Sequence, residues 1–330
     1  MQKADAVFEG GGVKGVALVG ALQAFEEAGF QWQNLAGTSA GAIVAALVAV
    51  GYTSAEVREV MGRIKFHTLM DTSGIGKLPV VGPWLSLLFN QAMYQGDYFL
   101  QIMRELIAAK TGKQRYTFAD LTLPKEPGDS EEDYQNKYKY KLRVMASDIS
   151  ENRLFVLPQD VARLGYDPGG LEVALAVRMS MSYPFFFKPV ILEDSQRLEK
   201  HWIVDGGMLS NFPIQLFDSP PGQSPSWPTI GFLLSEPGSE EPAHVRIQGL
   251  VSMIQAILRT MLTAHDRKAL EEADKERIVR IPTGKVSTLD LNLSDADQKW
   301  LYDQGYRVAK EFLSAWSFEA YVAHRLQGAA

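Results

Sequence analysis

The stretch VFEGGGVKGVALVGAL, Val7 to Leu22, decides how the chain begins to fold. Its first two residues end a short apolar run typical of a buried strand, and its last seven have the composition of a helix. Between them, Gly10, Gly12 and Gly15 match the G-x-G-x-x-G spacing with which a strand–turn–helix binds dinucleotides. The stretch predicts a strand, a glycine turn and a helix, and leaves the use of the turn open.

The residues after the glycine turn argue against a nucleotide site. A dinucleotide site needs an acidic residue roughly 20 positions on, at the end of the second strand, where it holds the ribose. Here the second strand ends in LAG at 35–37, and Glu26 and Glu27 fall inside the preceding helix. A P-loop also fails, because Lys14 is followed by Gly15 rather than by Ser or Thr. We therefore expect no nucleotide cofactor.

The composition bounds the class of protein. Hydrophobic residues make up 46% and charged residues 22% of the 330 residues, as in a soluble globular protein. The net charge of -6 argues against a nucleic-acid partner but leaves room for transient contact with a membrane surface. The lack of cysteine excludes disulfides and fits a cytoplasmic location. We expect no signal peptide and no membrane span, because the longest apolar run, Ala40–Tyr52, has about 13 residues where a span needs roughly 20.

Strands and helices alternate in the N-terminal part of the chain, which predicts a three-layer α/β fold with a central, mostly parallel sheet between helices. We expect a single domain over residues 1–330, in which residues 4–216 carry the motifs and residues 217–330 complete the domain. Residues 125–141 are charged and contain proline and glycine, which indicates an exposed loop. The expected strands are Ala4–Phe8, Trp32–Ala36, Tyr140–Ser147, Arg153–Leu157, Pro189–Leu192, Trp202–Val204, Thr229–Leu234 and Arg277–Ile281. The expected helices are Val13–Ala28 with Gly29 as its cap, Ala40–Val50, Thr53–Ile64 with a capping box, Asp97–Lys110, Leu171–Met181, His244–Ala273 and Ser294–Trp316.

The second strand ends in GTSAG, Gly37 to Gly41, which is a G-x-S-x-G sequence. Flanking glycines allow a tight strand-to-helix turn that exposes the serine at the head of a helix, where free N–H groups and the positive end of the helix dipole lie. A glycine-flanked turn in which the serine only caps the helix would have the same sequence. The strand before Ser39 and the apolar helix after it favour a nucleophile elbow.

The elbow gives the opening glycine loop a use. Strands 1 and 2 of such a sheet are neighbours, so the turns that follow them open at the same edge. We expect the N–H groups of Gly11, Gly12 and Val13 to point at the oxyanion formed when Ser39 attacks a carbonyl, because glycines let the main chain approach closely. We expect the side chain of Lys14 to lie at the surface.

Ser39 needs a base, and the sequence offers histidines or an aspartate. The five histidines are His67, His201, His244, His265 and His324. None has a recognisable triad context, although the last three could satisfy the Ser…Asp…His order of an α/β-hydrolase. Asp205, in IVDGG at 203–207, follows an apolar strand, and two glycines clear space beside it. A D-G turn between strands has the same letters, but Asp205 is the better candidate.

The motifs GGGVKG at 10–15, GTSAG at 37–41 and DGG at 205–207, in this order, resemble those of the bacterial patatin-like phospholipase family. A fourth stretch, RMSMSYPFFFKP at 178–189, is similar to the family's R-A-S-x-x-x-P-x-x-F-x-P pattern, with Met179 in place of the usual alanine. The resemblance covers residues 4–216, roughly two thirds of the chain.

The resemblance implies a patatin-like three-layer fold and a Ser–Asp dyad that needs neither a metal nor a cofactor. Ser39 would be the nucleophile and Asp205 the base. The oxyanion hole would consist of Gly10, Gly11, Gly12, Val13 and Ala40, and the elbow and motif glycines would be Gly15, Gly37, Gly41, Gly206 and Gly207.

The implied function is that of a lipid acyl hydrolase, a phospholipase A or esterase that cleaves phospholipids or other acyl esters through an acyl-serine. An acyltransferase would use the same acyl-serine. A family better known for transfer commonly has a histidine directly before its nucleophile, where this chain has Thr38. A non-enzymatic lipid-binding module is a third possibility, against which the intact Ser39, Asp205 and glycine loop argue.

Residues 66–100 are expected to form a lid that covers the acyl pocket or meets the membrane. The uncharged run LPVVGPWLSLLF at 78–89 contains glycine and prolines that prevent one continuous helix. Packing of these side chains over the sheet is the alternative. The lid residues would be Trp84, Leu85, Leu87, Leu88 and Phe89.

Overall fold

Helices flank a mixed sheet in the computed structural model, which describes residues 2–63, 92–128, 130–219, 223–235, 276–286, 288 and 293–327, together with 247, 253, 256 and 260. The strands of the described residues are β1 (Gln2–Phe8), β2 (Phe30–Thr38), β3 (Ala92–Tyr94), β4 (Leu142–Asp148), β5 (Arg153–Leu157), β6 (Phe185–Phe187), β7 (Val190–Glu193), β8 (Lys200–Asp205), β9 (Thr229–Ser235) and β10 (Ile278–Pro282). The helices are α1 (Gly15–Glu27), α2 (Ala40–Ala49), α3 (Ser54–Arg63), α4 (Asp97–Thr111), α5 (Val173–Ser180), α6 (Asp295–Ala315) and α7 (Phe318–Gln327). Shorter helical turns lie at Gly12–Lys14, Phe118–Leu121, Glu131–Asp133, Tyr134–Tyr138, Gln159–Leu164 and Gly206–Met208.

The centre of the sheet is parallel. β10, β9, β1, β2 and β4 follow one another in that order, each parallel to its neighbour. β5 and β8 pair antiparallel with β4, and β7 pairs antiparallel with β8. β3 and β6 form a separate parallel pair. This arrangement confirms the expected three-layer α/β fold with a mostly parallel sheet.

β2 and β8 meet end to end along one edge of β4. β2 pairs with residues 142–145 of β4, β8 pairs with residues 146–148, and β5 pairs with residues 144–148. Because a strand has two edges and β5 overlaps both other partners, β2 and β8 share the edge opposite β5. Thr38 at the end of β2 lies opposite Met145, and Asp205 at the end of β8 lies opposite Ala146. The two strands therefore end at adjacent positions of β4.

The two faces of the sheet are covered by different parts of the chain. Ala4, Ala6 and Phe8 of β1 belong to the main core under the helices, and Val7, which points to the other face, belongs to a second cluster. The second cluster consists of Val7, Ala36, Phe212, Ile214, Phe217, Leu233 and Ile278. Phe212, Ile214 and Phe217, which follow Asp205 in the chain, pack on this face of the sheet and hold the loop after β8 in place.

The first and sixth helices pack with their backbones in close contact. A Cβ on Gly20 of α1 would meet the carbonyl oxygen of Tyr302, and a Cβ on Gly305 of α6 would meet the carbonyl oxygen of Ala17. Only glycine fits at these two positions. The contact joins α6 to the first helix of the chain.

Most of the expected elements are confirmed, with shifts of a few residues at their ends. The capping box of α3 is confirmed, since the N–H of Thr53 donates to the Glu56 carboxylate at 2.8 Å and the N–H of Glu56 to the Thr53 hydroxyl at 3.3 Å. Gly29 ends α1 with a φ of 83°, as expected. The expected helix over 244–273 lies outside the described residues except for four positions.

One expectation about local structure is wrong, and three elements were not expected. Residues 131–138 form helical turns instead of a loop, because the hydroxyl of Ser130 accepts the N–H of Asp133 at 2.9 Å and Lys137 pairs with Asp133 at 3.0 Å. The sequence reading also missed β3, β6 and α7. β3 and β6 have three residues each, too few for a strand period to show.

Asp5 is a buried carboxyl group on β1. It accepts hydrogen bonds from the N–H and the side-chain amide of Asn34 at 2.9 and 3.0 Å. Burial nevertheless raises its pKa from 3.8 to about 7, and the two bonds to Asn34, with one from Trp227, offset only part of that rise. The raised pKa means that folding disfavours the ionised form of this side chain.

Asp5→Asn should stabilise the fold at pH 8. Below pH 3.8 both the folded and the unfolded state hold the proton, and between pH 3.8 and 7 the unfolded state loses it first, so the wild type loses stability as the pH rises. Asparagine keeps an acceptor for Asn34, although its NH2 group meets the Trp227 donor. We expect a net gain of about 1–2 kcal/mol at pH 8 and none at pH 4, measured by urea unfolding. An equal effect at both pH values would contradict this account.

Candidate active site

Ser39 lies at a strained turn between β2 and α2. Its φ of 53° and ψ of −123° fall in a region that residues other than glycine rarely adopt. A Cβ on Gly37 would meet the backbone of Gly41, and a Cβ on Gly41 would meet the carbonyl oxygens of Phe8 and Glu9. The glycines on either side of Ser39 are therefore required sterically, as the elbow interpretation expects.

Asp205 ends β8 in a buried position, with 3% of its surface exposed. Its Oδ1 accepts the N–H of Gly207 at 2.8 Å, and its own N–H donates to the carbonyl of Ser182 at 3.0 Å. Gly206 is needed because a Cβ there would meet the carbonyl oxygen of Met145. The Oδ2 atom is buried and has no hydrogen-bond partner among the described residues.

Burial raises the pKa of Asp205 from 3.8 to about 6. The N–H of Gly207 and the nearby hydroxyl of Ser39 lower the pKa, but less than burial raises it. A carboxyl group with this pKa is a stronger base than an exposed aspartate and is still mostly ionised at neutral pH.

The hydroxyl of Ser39 lies beside Asp205 and also contacts a methionine sulfur. It donates to the Sδ of Met181 at 3.5 Å. A side-chain hydrogen bond from the same hydroxyl to the Asp205 carboxyl group lowers the pKa of Asp205, although Oδ2 has no partner of good hydrogen-bond geometry among the described residues. The hydroxyl of Ser39 therefore lies between the Asp205 carboxyl group and the Met181 sulfur.

The turn after α5, residues 180–182, contacts both Ser39 and Asp205. The hydroxyl of Ser180 accepts the N–H of Ser39 at 2.8 Å and donates to the carbonyl of Met145 at 2.6 Å. The sequence interpretation missed this contact. The available signal was Arg178 and Ser180, which match the R-A-S part of the family pattern, but the pattern does not say what these residues bind.

Arg178 holds this turn in place through hydrogen bonds to it and to neighbouring segments. It is buried, and it donates to the hydroxyl of Ser182 at 2.6 Å and to the carbonyls of Gln95, Gly96 and Lys188 at 2.6, 2.9 and 2.8 Å. One guanidinium thus joins the end of α5 to the segments before α4 and after β6.

The glycine loop passes directly beside Ser39. A Cβ on Gly10 would lie 3.2 Å from the Cβ of Ser39 and would collide with the Oδ1 of Asn211. Asn211 pins the loop, because its side-chain amide donates to the Gly10 carbonyl and to the Glu9 carboxylate, both at 3.1 Å. Glu9 also accepts the N–H of Leu234. Asn211 and Glu9 were not expected from the sequence.

Two of the five expected oxyanion donors are engaged elsewhere. The N–H of Gly10 donates to the carbonyl of Asn211 at 3.3 Å, and that of Val13 donates to the carbonyl of Thr288 at 3.2 Å. Val13 turns away because the chain enters a helical turn at Gly12, whose φ is 55°. The N–H groups of the remaining three have no acceptor among the described residues. These three are Gly11, Gly12 and Ala40.

Lys14 and Gly15, which follow the glycine loop, can also be compared with what the sequence predicted. Gly15 packs against α2, since a Cβ on it would lie 3.2 Å from the Cβ of Ala40. The expected surface position of Lys14 is wrong, because only 3% of that residue is exposed. Lys14 is enclosed where the helical turn of the glycine loop joins α1.

His201 has a carboxylate partner, but the pair is not close to Ser39. Its Nδ1 lies 2.6 Å from the Oδ2 of Asp148, and the Oδ1 of Asp148 accepts the N–H of Ser150 at 2.9 Å. His201 precedes Asp205 by four positions on β8, about 13 Å along a strand. The pair joins the turn after β4 to β8.

Asp148 and His201 also belong to a group that could hold a metal ion. With Glu151 they place one ligand atom each within 4.8 Å of the others, among the described residues. Of the other histidines, His324 lies 3.7 Å from Glu276. His67, His244 and His265 lie outside the described residues.

The expected lid residues, from Trp84 to Phe89, also lie outside the described residues. In the described parts of the chain, no helix combines the length and the apolar character needed to cross a membrane.

A comparison with protein families gives the affiliation of the chain. The model described as patatin-like phospholipase matches residues 6–218. The chain belongs to the patatin-like phospholipase family. The matched residues include the glycine loop, the elbow and the DGG turn, which come together at the β2–β8 junction. Membership in a phospholipase family implies a lipid substrate and supports lipolytic hydrolase activity.

Two relatives of this family member match nearly its whole length. The protein YqhO of Bacillus subtilis (strain 168) is 35% identical over 315 residues, which cover 95% of this chain and 99% of YqhO. The protein R571 of Acanthamoeba polyphaga mimivirus is 23% identical over 310 residues, which cover 92% of this chain and 91% of R571. Both are described as uncharacterized proteins.

Two solved structures resemble this patatin-like fold. VipD from Legionella pneumophila superimposes with a TM-score of 0.55 and 16% identity, covering 96% of this chain and 67% of VipD. The ExoU–SpcU complex of the Pseudomonas aeruginosa type III secretion system gives a TM-score of 0.51 and 18% identity, covering 97% of this chain and 52% of the matched chain. At these identities the likeness supports the fold alone.

Ser180→Ala should slow this patatin-like phospholipase without unfolding it. The change removes the acceptor of the Ser39 N–H, so the strained turn loses the bond that holds it. A buried hydrogen bond of this kind is worth about 1–3 kcal/mol, and we expect kcat on a short ester to fall about 10- to 100-fold with KM nearly unchanged. Ser147→Ala is the matched control, a fully buried serine whose hydroxyl bonds to Gly206 at 3.4 Å. Equal losses in both variants would refute a specific role for Ser180.

Proposed function

We propose that this protein is a lipid acyl hydrolase that cleaves the acyl esters of phospholipids or related lipids through Ser39 and Asp205. The observation that carries the proposal is the convergence of these two residues where β2 and β8 end on β4. The glycine loop beside them supplies N–H groups without acceptors among the described residues. Family membership supplies the class of substrate.

In the first half of the reaction, Asp205 acts as the base. The Oγ of Ser39 attacks the ester carbonyl carbon while the Asp205 carboxylate takes the hydroxyl proton. The resulting oxyanion accepts hydrogen bonds from the glycine loop and from the first N–H of α2, whose helix dipole also favours negative charge there. The intermediate collapses, the alcohol leaves with the proton from Asp205, and the acyl group remains on Ser39.

In the second half, water takes the place of the alcohol. Asp205 accepts a proton from the water as its oxygen attacks the acyl-serine, and the same N–H groups hold the second oxyanion. Collapse breaks the bond to Ser39, which regains its proton, and a fatty acid is released. Phospholipid substrates lie in membranes, so transient contact with a membrane surface is part of the proposal.

The Ser39→Ala variant tests the nucleophile. The purified variant should keep its melting temperature within a few degrees, because Ser39 is only partly buried. It should lose hydrolysis of p-nitrophenyl esters and release no fatty acid from mixed phospholipids, as followed by mass spectrometry of the products. The same spectra of the wild type identify any acyl transfer to an alcohol. Retained turnover in folded Ser39→Ala protein would remove Ser39 from the mechanism.

Asp205→Asn should be nearly as inactive as Ser39→Ala while remaining folded. Since the pKa of Asp205 in the folded state is about 6, the wild-type kcat/KM should rise with pH through an acid limb near 6. Because the folded-state pKa is raised, the wild type loses stability as the pH rises from 3.8 to about 6, so the variant should melt no lower than the wild type at pH 8.

The five histidines serve as the comparison. Each is replaced by alanine or asparagine in turn, and none should reduce kcat/KM as far as Asp205→Asn does. A histidine variant that is folded and equally inactive would indicate a triad in place of the dyad.

A further inference from the structure

We infer that Asn211 is a positioning residue for the oxyanion, because it binds the carbonyl of Gly10 and thereby turns the N–H of Gly11 into the space beside Ser39. The inference rests on the proposed function, in which Ser39 attacks an ester carbonyl. Asn211 is buried, with 9% of its surface exposed, and lies in the loop after β8.

Asn211 holds Gly10 through two hydrogen bonds. Its side-chain amide donates to the Gly10 carbonyl at 3.1 Å, and its backbone carbonyl accepts the N–H of Gly10 at 3.3 Å. The same amide also donates to the Glu9 carboxylate at 3.1 Å. One residue therefore fixes both the peptide before Gly10 and the peptide after it.

The orientation of the Gly10 carbonyl determines that of the Gly11 N–H. Both groups belong to one planar trans peptide, in which the C=O and the N–H point in opposite directions. The Gly10 carbonyl faces the Asn211 amide, so the Gly11 N–H faces away from it, and this N–H has no acceptor among the described residues. Gly10 also approaches Ser39 closely, since a Cβ on it would lie 3.2 Å from the Cβ of Ser39. The Gly11 N–H is thereby available to an oxyanion that forms on Ser39.

The peptide between Gly10 and Gly11 needs a restraint because it has a glycine on each side. A peptide plane rotates through the ψ of the residue before it and the φ of the residue after it, and neither glycine has a Cβ that opposes the rotation. A rotated plane would turn the Gly10 carbonyl toward the site, where its negative end would oppose the oxyanion. The hydrogen bond from Asn211 opposes that rotation.

The other two donors are oriented by the main chain. The carbonyl of Gly11 accepts the N–H of Lys14 at 3.2 Å, which sets the oppositely directed N–H of Gly12. The carbonyl of Ser39 accepts N–H groups of α2 at 2.9 and 3.3 Å, which sets the N–H of Ala40 in the same way. Of the three donors without an acceptor among the described residues, Gly11 is thus the one whose orientation depends on a side chain.

Asn211 is itself held on both sides in the chain. The carbonyl of the preceding Ser210 accepts the hydroxyl of Thr38 at 3.1 Å. The following Phe212 packs against the sheet in the second cluster. The loop that carries Asn211 is therefore tied to the elbow, so the amide is in place before a substrate arrives.

Asn211→Asp is the first test, because aspartate keeps the shape of the side chain and removes its N–H donors. If the new acid holds a proton, the Glu9 carboxylate takes that hydrogen bond, since a carboxylate is a stronger acceptor than the Gly10 carbonyl. We expect kcat on a short ester to fall about 100-fold, as for the loss of one oxyanion donor, with KM within about twofold of the wild-type value.

A trifluoromethyl ketone gives a readout that a purely structural role would not change. In its adduct the Ser39 Oγ bonds to the carbonyl carbon, the carbonyl electron pair moves onto the oxygen to give the oxyanion, and Asp205 takes the hydroxyl proton. The Ki of this inhibitor should rise in Asn211→Asp by about the same factor as kcat falls. A structural role would lower the melting temperature and the fraction of active enzyme, but would leave the kcat and the Ki of the folded enzyme unchanged.

Asn34→Asp is the matched control. Asn34 is also buried, and its side-chain amide donates to a carboxyl group, that of Asp5 at 3.0 Å. It precedes Ser39 by five positions, about 16 Å along a strand. The kcat and the Ki of folded Asn34→Asp should match the wild type, and equal losses in the two variants would refute a specific role for Asn211. If Asn211→Asp does not fold, Asn211→Ser replaces it, because its shorter side chain does not reach the Gly10 carbonyl.

The wild type provides a second test that needs no variant. In protein labelled with 15N-glycine, the amide proton of Gly11 should move downfield when the trifluoromethyl ketone binds, because it gains a hydrogen bond to the oxyanion. The amide proton of Gly10 should shift far less, because it stays bound to the Asn211 carbonyl. A Gly11 resonance that does not move in the adduct would overturn the inference.

The results separate this inference from the proposed function. If the wild type hydrolyses esters and forms the adduct while Asn211→Asp keeps the wild-type kcat and Ki, Asn211 only packs and the inference is overturned. If the adduct forms and weakens in Asn211→Asp as expected while no lipid is hydrolysed, the inference holds and the substrate assignment fails. If the wild type neither forms the adduct nor hydrolyses esters, both fail together.

Discussion

The site depends on one constraint in the sheet, the meeting of β2 and β8 on a single edge of β4. Neither strand can extend past the other, because each occupies the hydrogen-bonding groups that the other would need. Their ends are therefore fixed at Thr38 and Asp205, opposite adjacent residues of β4. The glycine loop lies against Ser39 at this junction, and the turn after α5 binds the main chain of both Ser39 and Asp205.

The turn after α5 is the second determinant, since it holds the main chain on both sides of the gap. Ser180 binds the N–H of Ser39, and the carbonyl of Ser182 binds the N–H of Asp205. The distance between the nucleophile and its base is thus set by three consecutive residues on one helix end. Arg178 holds that helix end through bonds to other carbonyls, so the site rests on a buried cation that does not itself touch Ser39 or Asp205.

The parts of the site that could be predicted are those imposed by local sterics. A sharp turn from a strand into a helix needs glycines on both sides of the serine, as at Gly37 and Gly41. A loop that passes close to the serine also needs a glycine, as at Gly10. The spacing of these glycines in the sequence was therefore enough to predict the contacts. The main elements followed from apolar patterns, since α1 and α2 are buried along most of their lengths.

The parts that could not be predicted depend on contacts between distant segments. Nothing local marks Ser180 as the partner of Ser39, or Asn211 as the partner of Gly10, because the bonded residues are 141 and 201 positions apart in the chain. Val13 was expected to face the oxyanion, but the acceptor that draws its N–H away, Thr288, comes from the far end of the chain. Lys14 is buried by tertiary packing, which overrides the usual preference of lysine for water.

The position of β9 limits where the chain can be truncated. The residues that match the family end at 218, before β9 begins, yet β9 pairs with β1 and its Leu234 N–H binds Glu9 beneath the glycine loop. A fragment that stops at 218 would leave an open strand edge on β1 and would also lose the Gly20–Gly305 contact between the first and sixth helices. We therefore expect a fragment that ends at residue 218 to be less stable than the longer chain, although it contains every family motif.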